Sequence, residues 1–123
     1  MAERPGVVIE KGPQNFEIIQ RNRDGYADIA LSGKWTGTAD TNDAAVYVRL
    51  LLEDSGQEVV PYTKCEMHGS EWSVLLQNIP AGGLYKIETG LQLNGNPRLD
   101  WNLAGEMRHF IGIGDVFVTA GQS

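Results

Sequence analysis

At 123 residues the chain suits one domain, long enough to bury a core without covalent staples. Hydrophobic residues make up 41% and charged residues 21%, a balance that sets disorder aside, and no apolar run approaches the roughly 20 residues a membrane-spanning helix needs. The formal net charge is −6 and the pI near 4.8, with Lys and Arg dispersed, so nucleic acid and anionic membrane surfaces are poor partners.

Residues 1–13 read as an N-terminal arm, and Met1-Ala2-Glu3-Arg4-Pro5 lacks the apolar stretch of a signal peptide. Phe16 to Gln20 is a first, weak alternating stretch, followed by a turn at Arg23-Asp24-Gly25. Ala27, Ile29 and Leu31 then alternate with Tyr26, Asp28 and Ala30, the period of a half-buried strand. Val46, Val48, Leu50 and Leu52 repeat the pattern, and Asp54-Ser55-Gly56 supplies the hairpin turn after them. Pro61 has no N–H to give to a ladder, so the strand that contains it belongs at a sheet edge.

His68-Gly69-Ser70 turns the chain into Trp72, Val74 and Leu76, which alternate with Ser73, Leu75 and Gln77. Pro80-Ala81-Gly82-Gly83 marks a corner, after which Tyr85, Ile87, Thr89, Leu91 and Leu93 alternate with Lys86, Glu88, Gly90 and Gln92. A strand, a Pro/Gly corner and a Tyr opening the next strand look like the tyrosine corner of Greek-key sandwiches. Asn94-Gly95-Asn96-Pro97 is a further turn, and Met107 to Ile113 a weaker alternating stretch.

No segment has a helical period. About seven short strands turned by glycine predict an all-β fold: an Ig/fibronectin III-like antiparallel sandwich with Greek-key connections over residues 14–113. Its predicted core holds Ile29, Leu31, Val46, Val48, Leu50, Trp72, Val74, Leu76, Tyr85, Ile87 and Leu91.

The final residues, Gly114-Asp115-Val116-Phe117-Val118-Thr119-Ala120-Gly121-Gln122-Ser123, form a short apolar strand running into Gly-Gln-Ser. Glycine permits a sharp turn there, and a serine at the carboxyl end of a sheet strand is open to substrate. The block resembles the opening of the SGNH-type serine esterases, closest to the sialate O-acetylesterase-like branch. The stretch Trp72-Ser73-Val74-Leu75-Leu76 with Pro80-Ala81-Gly82-Gly83-Leu84-Tyr85 is similar to the segment that precedes the Gly-Gln-Ser block in that group. The resemblance covers Phe16 to Ser123.

The resemblance implies an N-terminal accessory β-domain of a carbohydrate esterase, with residues 114–123 as the first strand and nucleophile turn of the hydrolase domain. Ser123 is then the nucleophile of an acyl-enzyme mechanism, its own N–H helping to hold the oxyanion. In the family a Gly and an Asn from later blocks complete the oxyanion hole, and an Asp-x-x-His supplies the base. Those blocks have no positions in this sequence, so the isolated chain is expected to be no enzyme. The lone Cys65 leaves the compartment open, and the resemblance is compatible with a secreted or cell-surface parent; it implies covalent linkage to an esterase domain, and the domain itself is expected to be a monomer.

Other candidates carry less. His68 and His109 read as surface or strand-edge residues rather than a catalytic base. Cys65, Glu66 and His68 lack a second ligand pair at zinc spacing, and Asp40, Asn42 and Asp43 lack the glycine and glutamate of a calcium loop. No metal and no cofactor is expected. Trp72 reads as core; Trp35 and Trp101 are the candidates for stacking on sugar, against the plainer reading that each covers one end of the sandwich. Two rival readings stand beside the esterase one: an independent carbohydrate-binding module, or a fibronectin III-like spacer in which Gly-Gln-Ser is accidental.

Overall fold

In the computed structural model, the residues described are 6–36, 44–93 and 104–115. They contain nine strands and no helix: β1 (Gly6–Lys11), β2 (Ile18–Gln20), β3 (Tyr26–Thr36), β4 (Ala44–Leu52), β5 (Glu58–Lys64), β6 (Glu66–His68), β7 (Glu71–Pro80), β8 (Gly82–Leu93) and β9 (Ala104–Gly114). They form a four-stranded sheet ordered β1-β3-β7-β6 and a five-stranded sheet ordered β2-β9-β8-β4-β5. The first order is that of strands A, B, E and D of an immunoglobulin-type sandwich, with β9, β8 and β4 in the places of G, F and C. Pairing is antiparallel except between β2 and β9, which run parallel from Ile18↔Gly112 to Gln20↔Gly114.

The inward faces meet in one core. Val46, Val48, Leu50, Ile87, Leu91 and Ile111 are fully buried, and Ile29, Leu31, Trp72, Leu76, Ile79 and Tyr85 nearly so. Tyr85 forms the predicted corner: its hydroxyl donates to the Pro80 carbonyl at 2.7 Å. Ile87, two residues on, stands where antibody domains place the second cysteine of their inter-sheet disulfide, so apolar packing does that bridge's work here. The Asp54-Ser55-Gly56 hairpin joins β4 to β5, and Pro61 lies on β5, an edge strand.

Three features differ from the sequence reading. Gly6–Lys11, within the segment read as an arm, is the edge strand β1, and Glu66–His68 adds the short β6. Val74 is only partly buried, because β6 pairs with β7 no further than Ser73 and leaves Val74 beside an open margin. At the opposite margin β1 lies against β9 of the other sheet. A Cβ on Gly105 would stand 3.0 Å from the Val7 carbonyl oxygen and would collide with the Val7 and Thr89 side chains, so only glycine admits this approach.

Candidate functional site

The last strand departs from regular pairing where its sequence has two adjacent large apolar residues. Tyr85 faces Ile111 and Ile87 faces Arg108, so His109 and Phe110 together oppose Lys86 alone, which is a β-bulge. Ile111 points into the core, and Phe110 is turned to the outer face of the five-stranded sheet. Phe110 reaches this position with φ at +58°, and Phe16 beside it has φ at +65°. Bulky side chains rarely adopt that conformation, and each such residue costs on the order of 1–3 kcal/mol. The two rings stack with centroids 4.9 Å apart and planes 15° from parallel. Even so they stay open to solvent, 73% for Phe16 and 37% for Phe110.

Ile18 and Leu84 extend the same surface, at 54% and 49% exposure. They flank Gly112, whose missing Cβ would lie 3.6 Å from Ile18 Cγ1 and 3.7 Å from Leu84 Cδ2. The result is a contiguous apolar face at one end of the sheet.

A polar frame holds it. The amide of Phe16 donates to the His109 carbonyl at 3.0 Å, and the amide of His109 donates to Asn15 Oδ1 at 2.7 Å. Glu53 accepts twice, from the Phe110 amide at 2.9 Å and from His109 Nδ1 at 3.0 Å. An ionised carboxylate only accepts, so Nδ1 carries the proton. Burial works against the Glu53 charge, but the bonds from His109 and Phe110 outweigh it and hold the carboxyl below its ordinary range.

Further along this outer face lies a charged cluster. Arg49 Nη2 meets Glu88 Oε1 at 2.6 Å, Lys86 Nζ meets Glu88 Oε2 at 2.9 Å, and the Arg49 guanidinium lies 4.6 Å over the Tyr62 ring. Burial disfavours ionised Glu88, yet bonds from Lys86 and Arg49 keep its carboxyl below the usual value. Beyond the apolar end the chain leaves β9 at Gly114. The Arg21 amide donates to the Gly114 carbonyl at 2.8 Å, while Arg21 Nε and Gln20 Nε2 reach Asp115 Oδ1 at 3.3 and 3.2 Å.

Of the residues singled out from sequence, Ser123, Trp101 and the trio Asp40, Asn42 and Asp43 lie outside the described residues, as does the strand expected at Val116-Phe117-Val118. Trp35 is half-buried against the core, and its indole N–H donates to the Gly69 carbonyl at 2.9 Å. His68 is exposed, 3.7 Å from Glu66, and His109 belongs to the bulge. Cys65 is buried, which pushes its thiol up to about 12. Among the described residues no three His, Cys, Asp or Glu side chains converge as a metal site would require.

A second feature crosses the outer face of the four-stranded sheet. Lys11, Ser32, Ser73 and Glu66 are successive cross-strand partners in one row. The small serines leave a concavity of about 620 Å³ there, with Leu75 and Lys64 also on its wall.

Sequence reasoning missed Phe16, Ile18, Glu53, Leu84 and Phe110 as a group. Two pairs carried a signal: Phe110-Ile111 and Leu84-Tyr85 place large apolar residues side by side on strands, where only one of each pair faces the core.

No family model matches the chain, and no curated protein matches it either.

Proposed function

We propose that this chain is a non-catalytic accessory domain of a carbohydrate O-acetylesterase, supporting the serine-hydrolase domain that the Gly-Gln-Ser block opens. The observation that carries the reading is the exit of β9. Asp115 is tied to Arg21 and Gln20 of β2's margin, and Val116-Phe117-Val118 comes directly after it in sequence. A flexible tether needs a Gly/Ser- or Pro-rich spacer, and Gly112-Ile113-Gly114-Asp115, largely within β9, is not one. On this reading the downstream domain follows β9 directly rather than on a flexible tether. A serine hydroxyl needs a general base to act as a nucleophile at neutral pH, and on this reading the downstream domain supplies it to Ser123.

The test uses the polypeptide that continues past Ser123. Deleting the residues before Gly114 should lower its melting temperature and its turnover of acetylated sugars. A truncation with full expression, melting temperature and turnover sinks the supporting role. A fluorophosphonate probe should label Ser123 in the longer polypeptide and leave the 123-residue chain unlabelled. Acetyl-ester hydrolysis that survives Ser123→Ala removes the nucleophile assignment.

A second reading, glycan binding, has the four-stranded sheet's concavity in its favour. Ser32 and Ser73 have no side-chain partner among the described residues, and Lys11 and Glu66 flank them with opposite charges. Donors and acceptors in one shallow groove suit a neutral, hydroxyl-rich ligand. Calorimetric titration with acetylated and deacetylated neutral oligosaccharides tests it, and absence of heat with both rejects it.

A further inference from the structure

The apolar end of the five-stranded sheet presents surface more than it buries it. Phe16 and Phe110 both sit at positive φ, and Glu53, Asn15 and the His109 carbonyl are all engaged in keeping them there. Phe16 stays largely open and Phe110 keeps over a third of its surface exposed, so neither ring is buried in the core to offset that strain. Contiguous exposed apolar surface with a polar rim marks a site of contact with another folded unit. We infer that Phe16, Ile18, Leu84 and Phe110 form the seat on which the domain beyond Ser123 in the same polypeptide packs, with Glu53 as the residue that positions Phe110.

The path of the chain identifies the occupant. The strand that carries Phe110 and Gly112 is the strand by which the chain departs. Asp115 is five residues beyond Phe110, at most about 17 Å along an extended strand. Arg21 and Gln20 hold Asp115 on the margin that β2 shares with this face. The residues that follow Gly114 are not Gly/Ser- or Pro-rich like a spacer, so on the esterase reading the next folded unit follows close to the apolar end. The charged cluster around Glu88 confines apolar contact to that end. The inference rests on the esterase reading for the identity of the occupant, not for the existence of the face.

Thiol labelling tests it, because the native Cys65 is 4% exposed with its thiol near 12 and stays silent. Ile18→Cys and Leu84→Cys place a reporter on the face, and Lys34→Cys places a control on the outer face of the other sheet. In the 123-residue chain all three variants should react with a maleimide at comparable rates. In the polypeptide extended through the downstream domain, Ile18→Cys and Leu84→Cys should react at least about tenfold more slowly while Lys34→Cys is unchanged. Two positions on separate strands keep the result independent of how either variant folds.

Unchanged rates at both positions in an extended polypeptide that hydrolyses acetyl esters would overturn the docking and leave the esterase reading standing. Protection in an extended polypeptide without esterase activity would uphold the docking and overturn that reading. Protection that grows with concentration of the 123-residue chain alone would assign the face to a second copy and overturn the inference.

Discussion

The backbone amide of Ile9 donates to the carboxylate of Glu106 at 2.8 Å, joining β1 of one sheet to β9 of the other. Arg108 Nη2 completes the contact by donating to the Ile9 carbonyl at 3.2 Å. Side chains here do what a backbone ladder does elsewhere, satisfying the outward peptide groups of an edge strand. Replacing Glu106 with Ala should therefore destabilise the chain by about 1–2 kcal/mol in urea titration. Glu106→Gln, which keeps an acceptor, should lose less. Equal losses in the two variants would show that it is charge, not the bond to Ile9, that matters.

Trp72 is 1% exposed, and its indole N–H donates to the Lys34 carbonyl at 3.1 Å. Trp72→Ala should cost about 3–5 kcal/mol, read as a shift of the denaturation midpoint. Tyr85→Phe keeps the ring but leaves the Pro80 carbonyl without its partner, for a loss of about 1–2 kcal/mol. A Tyr85→Phe variant as stable as the parent would mean the corner is held by packing alone.

Glu53 and Glu88 make the fold sensitive to acid. Burial opposes ionisation of both, and their bonds, from His109 and Phe110 in one case and from Lys86 and Arg49 in the other, prevail and depress both carboxyls. A carboxyl depressed in the folded state adds stability that is complete above its unfolded value of about 4.3 and fades as pH falls through the lower folded value. Stability measured from pH 7 downward should hold until about pH 5 and then drop. Glu53→Gln should lower the plateau and make the drop shallower. An unaltered acid limb in both Glu53→Gln and Glu88→Gln would place the sensitivity elsewhere.

Phe16→Gly isolates presentation from stability. The substitution relieves the strain at φ +65° and gives up a stacked ring that is 73% exposed. Strain of on the order of 1–3 kcal/mol and a stacking gain of about 0.5–1.5 kcal/mol oppose each other, so the chain should keep its stability to within about 1 kcal/mol. A loss above about 3 kcal/mol would make Phe16 part of the core instead.

How far the sequence could be read depended on the range of the interactions involved. Period-two alternation in Ala27 to Leu31, Val46 to Leu52 and Tyr85 to Leu91 marks inward and outward faces, because successive side chains on a strand point to opposite sides. The turn at Asp54-Ser55-Gly56, the edge at Pro61 and the corner at Tyr85 each rest on the conformational limits of a few adjacent residues, and all three are present. Gly6–Lys11 escaped because its Val7, Val8 and Ile9 run together without a clear polar partner, and β6 is too short to show a period.

Alternation and turn chemistry are local, so an all-β sandwich and most of its core are legible from the order of residues alone. The parallel course of β2 along β9, the closure of Glu106 and Arg108 of β9 on Ile9 and the stacking of Phe16 on Phe110 emerge only once the sheets are assembled. Those contacts join residues more than ninety positions apart in sequence, as the separations of 97 and 99 for the Ile9 bonds show. The stack of Phe16 on Phe110 depends on the bulge at His109-Phe110, which turns Phe110 outward while the adjacent Ile111 faces the core. Neither side chain's identity announces which way it faces, because that choice belongs to the register of β9 against β8.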